Sequence, residues 1–229
     1  VRLEKKLKQQ KRVVTTLEAS IQEQCEWMVL KHLNRFNGEI TNAAIMVTDV
    51  AEGAVLARVG SAGFFSGPIG GQVDLCRRPR SPGSALKPFT YALALEKNRL
   101  YPTEQLLDQE LDYGSYNPAN FEGNFNGLIS ATDALRMSLN VPAVMILDRV
   151  GVEDLCAFLR RAGFDSLMRT PTEYGLGLTL GNCEVTLEAL TGAYAMLANL
   201  GNYRPLRYLE ETVAPSPIPL LSTGTAWAL

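Results

Sequence analysis

The feature that most constrains the fold of this chain is the change in its hydrophobic period, from two residues early on to between three and four later. Two short runs rich in β-branched residues, 43–50 and 53–60, flank Ala51-Glu52, a pattern typical of an antiparallel hairpin. Helical spacing of apolar residues then predicts helices over residues 84–97, 129–139, 152–162 and 186–200. Strands followed by helices predict an α+β fold with helices packed on an antiparallel sheet.

The two ends of the chain are less regular. Residues 1–12 are a charged lead-in, residues 12–17 have the β-branched composition of a strand, and residues 18–33 carry apolar residues at helical spacing. Near the other end, closely spaced prolines break the chain before residues 220–229. Because no repeat or linker interrupts residues 13–229, we predict a single domain there, preceded by the lead-in.

Composition and charge exclude several classes of protein. With 229 residues, 46% of them hydrophobic and 20% charged, the chain can bury a sizeable core. Its 22 basic and 24 acidic residues give a formal charge of −2, so no nucleic-acid partner is predicted. The basic residues 5–12 are interpreted as a solvated helix or linker. Since no apolar run resembles a membrane span or a secretory signal, we expect any exporting segment upstream of Val1.

Cysteine and histidine usage argues against a metal site. Cys25, Cys76, Cys156 and Cys183 show neither C-x-x-C nor zinc-ligand spacing. We interpret them as ordinary core or near-surface thiols, with one disulfide possible in an oxidising compartment. The single histidine, His32, would have to carry any Ser-His-Asp or Cys-His mechanism alone, so histidine-based catalysis is set aside.

A serine and a lysine three positions apart, Ser84 and Lys87, are the first residues that could carry chemistry. They form an S-x-x-K tetrad at a predicted helix start, which places hydroxyl and amine on one face. Burial and the helix dipole would lower the pKa of Lys87 and make its amine a base. The helix end would also offer backbone N–H groups, including that of Ser84, to an oxyanion. The tetrad alone is weak evidence, because about one chance match is expected in a chain this long.

The residues around the tetrad make the match specific. The segment Arg80-Ser-Pro-Gly-Ser-Ala-Leu-Lys-Pro-Phe-Thr-Tyr91 resembles the R-x-P-G-S-x-x-K-P-F-x-Y segment of penicillin-binding protein transpeptidases at nearly every fixed position. By this resemblance, Ser84 is the nucleophile that becomes acylated and Lys87 is its base.

A second motif of that family, S-x-N, is matched by Ser138 and Asn140. The matching flanks are residues 116–120, 127–130 and 134–143. The resemblance implies that Ser138 relays protons near Lys87, and that Asn140 hydrogen-bonds both this lysine and the peptide donor. The residues alone allow a plainer interpretation, in which Asn140 caps the end of a helix that Pro142 stops. The two interpretations can hold together.

The family's third motif, K-T-G on a strand lining the site, has no match. Thr223-Gly224-Thr225 imitates it with Ser222 in the lysine position. The neighbouring residues instead predict a helix start with Ser222 or Thr223 as N-cap, so we expect the true motif beyond Leu229 and the domain to be incomplete. Residues 178–187 and 202–206 resemble the stretch before the third motif in the 1C type of class A penicillin-binding proteins.

The resemblance covers the chain from about Arg12 to its end and carries several implications. It implies an antiparallel sheet with helices packed on it and an all-helical subdomain, the fold of penicillin-binding transpeptidases and serine β-lactamases. It implies a D,D-transpeptidase module on the periplasmic side of the bacterial inner membrane, cross-linking peptidoglycan stem peptides through an acyl-serine and acylated by β-lactam antibiotics. No metal or organic cofactor is implied. The parent protein would carry a membrane anchor and a glycosyltransferase domain and act in a cell-wall synthesis complex.

Two other functions stay open. One is a hydrolase, either a D,D-carboxypeptidase or a β-lactamase, for which no deacylating base stands out in the sequence. The other is a non-catalytic β-lactam sensor or scaffold that keeps the fold, which the missing K-T-G favours. The presence of Ser84, Lys87, Ser138 and Asn140 argues against the second for the parent protein.

Overall fold

The structure, a computed structural model, describes residues 12–114, 116–210 and 213–229, so the predicted lead-in lies outside it except for Arg12. The chain forms two compact units that are interleaved in sequence. The first contains the described residues up to Arg78, Thr186–Asn199 and Tyr203–Ile218, and the second contains Pro79–Val185, Leu200–Asn202 and Pro219–Leu229. The second unit therefore forms mainly from one continuous stretch.

Helices and short strands both contribute to the fold. The helices are α1 (Ala19–Leu33), α2 (Lys87–Glu96), α3 (Ala131–Arg136), α4 (Asn140–Val150), α5 (Val152–Arg161), α6 (Pro171–Tyr174), α7 (Leu187–Ala198) and α8 (Thr223–Ala228). The strands are β1 (Ile45–Thr48), β2 (Val55–Val59), β3 (Gln105–Asp108), β4 (Gly127–Ser130), β5 (Asn202–Tyr203) and β6 (Ile218–Pro219). Turns of 3-10 helix cover Asn34–Phe36, Gly83–Leu86 and Leu176–Leu180. In the described ranges, no helix has the length and apolar character needed to cross a membrane.

A hairpin and a helix form the core of the first unit. Strands β1 and β2 pair antiparallel with Ile45 opposite Val59. Cys25 and Val29 of α1 pack against Ala57 and Val59 of β2, so the helix buries its apolar face on the strand. The predicted hairpin and the predicted first helix are confirmed.

A returning segment runs beside β2. The N–H of Val55 donates to the carbonyl of Arg207 at 3.0 Å, and the N–H of Arg207 donates to the carbonyl of Gly53 at 2.9 Å. The strand predicted over residues 12–17 is wrong, because Thr15 forms only an isolated bridge. Its neighbour Thr16 is held by two bonds: its N–H donates to the carbonyl of Tyr208 at 3.1 Å, and its hydroxyl donates to the carbonyl of Val55 at 2.7 Å.

Helix α2 is the centre of the second unit. Its residues from Phe89 to Ala94 are all buried, and it contacts α3, α4, α5 and α8. Phe89 meets Phe164 edge to face with ring centroids 5.9 Å apart. The hydroxyls of Thr90 and Thr179 share a buried hydrogen bond of 2.8 Å. A helix apolar on every side has to be enclosed, and its first residue, Lys87, is enclosed with it.

The stretch between β4 and α4 differs from its prediction. The spacing predicts one helix over residues 129–139, but β4 takes the start of this range and α3 only part of the rest. Ser130 ends the strand and caps α3, because its hydroxyl accepts the N–H of Asp133 at 3.1 Å. Helix α4 begins at Asn140. Pro142 therefore lies in a first helical turn, where its missing N–H removes no intrahelical bond, and the prediction that it stops a helix is wrong.

The two ends of the main stretch of the second unit are joined by backbone hydrogen bonds. The N–H of Arg80 donates to the carbonyl of Val185, and the N–H of Val185 donates back to the carbonyl of Arg80, both at 2.9 Å. In the first unit, the N–H of Glu188 donates to the carbonyl of Cys76 at 3.1 Å. Each of these hydrogen bonds therefore joins residues of a single unit.

The cysteines behave as core residues. Cys25, Cys76, Cys156 and Cys183 are all free and buried, which confirms the interpretation of ordinary core thiols. Burial raises the pKa of Cys76 and of Cys183 to about 11. Because the thiolate is the reactive form, these thiols are inert at neutral pH.

Candidate active site

The S-x-x-K tetrad lies where the chain turns into the central helix. Ser84 is exposed in the 3-10 turn Gly83–Leu86. Lys87 is the first residue of α2, and its N–H donates to the carbonyl of Ser84. Pro88 follows with the φ that a helical first turn requires. Side chains three apart in 3-10 geometry are eclipsed, so Ser84 and Lys87 share one face.

The turn that carries Ser84 is fixed by the close approach of a second backbone segment. Gly181 has a φ of +88°, and a Cβ there would lie 2.3 Å from the nitrogen of Gly83. The Gly181 carbonyl accepts a hydrogen bond from the hydroxyl of Ser81 at 2.8 Å. That hydroxyl also accepts the N–H of Gly83 at 3.3 Å. Only glycine at 181 allows this approach, which gives the matched residues 178–181 a structural part in the site.

Three neutral acceptors enclose the amine of Lys87, whose residue is 1% exposed. Its Nζ donates to the carbonyl of Ser138, to the hydroxyl of Ser138 at 3.2 Å and to Oδ1 of Asn140 at 2.7 Å. These acceptors match the three N–H groups of an ammonium, yet none of them carries a charge. The structure thus brings together Lys87 and both residues of the second motif.

Burial without a counter-charge lowers the pKa of Lys87. Desolvation takes it from an ordinary value of 10.5 to about 8. At pH 8 about half of this lysine is neutral, and at pH 7 about one tenth. A neutral amine can accept a proton, so this lysine can act as a base near physiological pH. Burial is one of the two causes expected from the sequence.

Ser138 approaches Lys87 through a left-handed backbone conformation. Its φ is +56°, a region that residues other than glycine, asparagine and aspartate seldom adopt. Both its carbonyl and its hydroxyl reach the lysine amine. A backbone of this kind costs about 1–3 kcal/mol and persists only where the surroundings impose it, and here it places two acceptors on one amine.

Asn140 is oriented by its own amide group. Its Nδ2 donates to the carbonyl of Ala119 at 2.9 Å, so its Oδ1 is left to accept from Lys87. The sequence interpretation of Asn140 as the end of a helix is wrong, because it is the first residue of α4. The two halves of the S-x-N motif thus lie in a linker and in a helix start.

Two residues that the sequence analysis did not single out support Asn140. Oδ1 of Asn120 accepts the N–H of Asn140 at 2.9 Å and the N–H of Val141 at 3.3 Å. Nδ2 of Asn120 donates to both carboxylate oxygens of Asp108, at 2.9 and 3.0 Å. The family match over residues 116–120 marks Asn120, but no local pattern pairs it with Asp108.

The segment that imitates the third motif is helical. The hydroxyl of Ser222 accepts the N–H of Thr225 at 3.2 Å, which caps α8 at its first turn. The prediction of a helix start with Ser222 as N-cap is confirmed, so Thr223-Gly224-Thr225 does not line the site as a strand.

The four predicted site residues combine an exposed serine hydroxyl with a buried lysine amine. Over the described ranges, no hydrogen bond joins the hydroxyl of Ser84 to Lys87, Ser138 or Asn140, and Ser84 stands exposed one turn from the amine. Catalytic hydrogen bonds are often open before substrate binds. Among the same residues, no cluster of three histidine, cysteine or acidic side chains is suited to a metal ion. The arrangement can therefore perform acyl transfer through a serine with a lysine as base.

Comparison with known proteins assigns this geometry to a family. Residues 43–225 match the family model of the penicillin binding protein transpeptidase domain. Penicillin-binding protein 1C of Escherichia coli (strain K12) is 34% identical over 218 residues, covering 95% of this chain and 28% of that protein. Penicillin-binding protein 1F of Bacillus subtilis (strain 168) is 31% identical over 172 residues, covering 71% of this chain and 23% of that protein. The chain thus spans about a quarter of the length of these relatives.

Solved structures share the fold. The PonA1 protein from Mycobacterium tuberculosis in complex with penicillin V has a TM-score of 0.81 at 23% identity, over 97% of this chain and 63% of that one. The apo TP domain of Burkholderia pseudomallei penicillin-binding protein 3 has a TM-score of 0.79 at 21% identity, over 94% and 67%. The chain belongs to the penicillin-binding protein transpeptidase family, and its α+β architecture is the penicillin-binding, β-lactamase-like fold.

Proposed function

We propose that this chain is the transpeptidase module of a peptidoglycan-synthesising enzyme, with its domain over residues 13–229. The observation that carries the proposal is the buried Lys87 amine, whose pKa of about 8 leaves it able to take a proton from the adjacent Ser84. A lysine buried against neutral acceptors is hard to explain as a structural feature, because burying a charge without a counter-charge destabilises the fold.

In the proposed reaction, the neutral amine of Lys87 removes the hydroxyl proton of Ser84 while the oxygen attacks the D-Ala-D-Ala carbonyl of a stem peptide. Backbone N–H groups of the turn, including that of Ser84, stabilise the developing oxyanion. A proton relayed through Ser138 reaches the leaving D-alanine, and Asn140 holds Lys87 and the peptide donor. An amine of a second stem peptide then attacks the carbonyl of the acyl-serine. The ester bond to Ser84 breaks, a proton of the amine passes through Lys87 to the oxygen of Ser84, and the new amide bond is the cross-link.

β-Lactams are expected to acylate the same serine, because their strained amide resembles the peptide and the opened ring stays attached. PonA1 of Mycobacterium tuberculosis is known in complex with penicillin V, which supports this expectation for a protein of the same fold.

Intact-mass spectrometry after incubation with benzylpenicillin tests the proposal. We expect a covalent adduct with the mass of the whole β-lactam on the wild type and none on Ser84→Ala. Ser166→Ala is the matched control, since Ser166 is a half-buried serine of the same unit whose hydroxyl donates to the carbonyl of Glu184 at 2.8 Å. This control should keep the adduct.

Other outcomes point to other functions. An adduct that persists in Ser84→Ala would refute the assigned nucleophile. A folded sample that forms no adduct would mean that acylation needs the K-T-G strand expected beyond Leu229, or would favour the non-catalytic sensor or scaffold. An adduct that is released, with turnover of a chromogenic β-lactam, would favour the hydrolase.

We propose further that the chain is part of a longer class A penicillin-binding protein in the bacterial cell envelope, with a glycosyltransferase domain and an anchor in the inner membrane. The small share of its relatives that it spans, 28% of the 1C protein of Escherichia coli, supports this. Labelling membranes of the source cells with a fluorescent penicillin should give a band well above 25.1 kDa, the mass of this chain. A band at that mass would contradict the proposal.

A further inference from the structure

A buried chain of hydrogen bonds leads from Asp108 to Lys87. Asp108 is 0% exposed and Asn120 is 7% exposed. Their side chains bond to each other, Asn120 bonds to the backbone of Asn140, and the side chain of Asn140 bonds to Lys87. The first two members lie outside both sequence motifs.

Asn120 supplies the cap that α4 lacks of its own. The first N–H groups of a helix have no partner within it, and the N-cap residue Leu139 makes no side-chain bond to them. Oδ1 of Asn120 accepts two of these groups, from Asn140 and Val141. An asparagine twenty positions earlier thus determines where the backbone of Asn140 lies.

Asp108 determines which way the amide of Asn120 points. A carboxylate only accepts hydrogen bonds, so the side of Asn120 that faces Asp108 must be Nδ2. The carbonyl of Asn124 accepts from the same Nδ2 at 3.0 Å. Rotating the amide by 180° would place its oxygen against the carboxylate of Asp108 and the carbonyl of Asn124. Oδ1 of Asn120 therefore has to face α4. Asp108 is itself held by Asn126, through its N–H at 2.9 Å and its Nδ2 at 2.7 Å.

The residue next to Asn120 completes the alignment. The carbonyl of Ala119 accepts Nδ2 of Asn140 at 2.9 Å, which leaves Oδ1 of Asn140 for the amine of Lys87 at 2.7 Å. One short segment therefore fixes both the backbone and the side chain of Asn140. A shift of this segment would move an acceptor of the lysine amine.

We propose that Asn120 is a positioning residue for the acyl-transfer site, acting through Asn140 on Lys87, and that Asp108 sets its orientation. The inference rests on the function proposed for Ser84 and Lys87. It adds a requirement that neither motif contains, namely an asparagine and aspartate pair that holds the start of α4 in place.

The time course of acylation by benzylpenicillin in the full chain tests the inference. Asn120→Ala should lower the acylation rate constant at saturating β-lactam about 10- to 100-fold, because small misplacements of catalytic groups have effects of this size. The half-saturating concentration should change less than about threefold, since Asn120 does not touch the ligand. Adding Asn120→Ala to Asn140→Ala should slow the reaction by no more than about twofold, because the two residues act as one unit.

Exchanging the amide of Asn120 and the carboxylate of Asp108 between the two positions tests whether Asp108 orients Asn120. Asn120→Asp alone sets two carboxylates against each other and should slow acylation. Adding Asp108→Asn restores one donor and one acceptor across the pair, although the bond to the carbonyl of Asn124 stays lost. The exchanged protein should therefore be at least about tenfold faster than Asn120→Asp alone. A double variant no faster than that single variant would refute the role given to Asp108.

Asn42→Ala is the matched control for a merely structural effect. In the first unit, Oδ1 of Asn42 accepts the N–H groups of Ala43 and Ala62 at 2.9 and 2.8 Å, and its Nδ2 donates to the carbonyl of Ile69 at 3.1 Å. This asparagine thus makes the same kinds of bonds as Asn120. Its removal should leave the acylation rate constant within about twofold of wild type. If it slows acylation as much as Asn120→Ala does, the positioning inference is overturned.

Hydrogen exchange separates this inference from the proposed function. A wild type that benzylpenicillin does not acylate would count against the function proposed for this chain without touching the hydrogen-bond chain. In that case the exchange rates of the Asn140 and Val141 amides decide, because Oδ1 of Asn120 accepts both. Asn120→Ala should raise these rates at least about tenfold, whereas Asn42→Ala should not. Unchanged protection in Asn120→Ala would overturn the inference.

Discussion

The buried amine of Lys87 makes the stability of the protein depend on pH, and Lys87→Met should remove that dependence. The pKa of this lysine is about 8 in the folded chain against an ordinary 10.5, so between these values the unfolded chain holds a proton that the folded chain has released. The contribution of Lys87 to the free energy of unfolding is therefore fully present above pH 10.5 and is lost as the pH falls through 8. Stability from this group rises with pH across that window.

The size of the effect follows from the two pKa values. One pKa unit corresponds to about 1.4 kcal/mol, so folding disfavours the ammonium of Lys87 by about 3 kcal/mol. The residue is 1% exposed, so solvent screening reduces this figure little. Between pH 7 and 9 the contribution should grow by about 1 kcal/mol, most of it above pH 8. Cys76 and Cys183, whose pKa values burial raises to about 11 from 9.0, change stability in the opposite direction as the pH rises.

Urea unfolding of the wild type and of Lys87→Met at pH 7, 8 and 9, followed by far-UV circular dichroism, isolates the lysine. The thiols contribute equally to both proteins, so the difference between the two free energies of unfolding reports Lys87 alone. We expect this difference to shift by about 1 kcal/mol in favour of the wild type from pH 7 to pH 9. Parallel pH dependences would refute the claim that the amine is buried without a counter-charge.

Three substitutions test the surroundings of the site by denaturant unfolding. Gly181→Ala should lower the free energy of unfolding by about 1–3 kcal/mol and slow acylation, since its Cβ would lie 2.3 Å from the nitrogen of Gly83; a variant as stable and reactive as wild type would contradict this. Phe89→Ala should cost about 3–5 kcal/mol because the ring is 0% exposed, and a loss below about 1 kcal/mol would mean that the ring is not a core residue. Ser222→Ala should cost about 1 kcal/mol through loss of its bond to the N–H of Thr225, and no change in stability would argue against a cap there.

The predictions that succeeded rest on local patterns. The hairpin, α1 and the helix start at the tetrad each depend on residues a few positions apart, where side-chain period and turn composition decide the conformation. Ser222 as a cap is of the same kind, because its partner Thr225 is three residues away. The direction of the shift in the pKa of Lys87 could be anticipated, because burial disfavours the charged form of a lysine.

The features that sequence could not supply depend on distant partners. Helical spacing continues across residues 129–139, yet Ile129 pairs with Leu106 in a strand. No residue near Ile129 in the sequence indicates this pairing. The residues around Asn140 have the composition of a helix end. A helix begins there instead, and Asn120, twenty positions earlier, accepts the N–H of its first residue. The link between Asn120 and Asp108 forms only when β3 is in place, because Asp108 is the last residue of that strand.

The bridge between Arg80 and Val185 bears on the order in which the protein assembles during synthesis. Once Val185 has emerged from the ribosome, the whole stretch that this bridge closes is free to fold, including Phe89 and Phe164, so most of the core of the second unit can form then. The first unit has to wait, because its closing bond to the carbonyl of Cys76 comes from Glu188, and the segment beside β2 is made later still. The strands made first therefore wait for partners that are made after the main stretch of the second unit, and this delay leaves their edges open while most of the site-bearing unit is already folding.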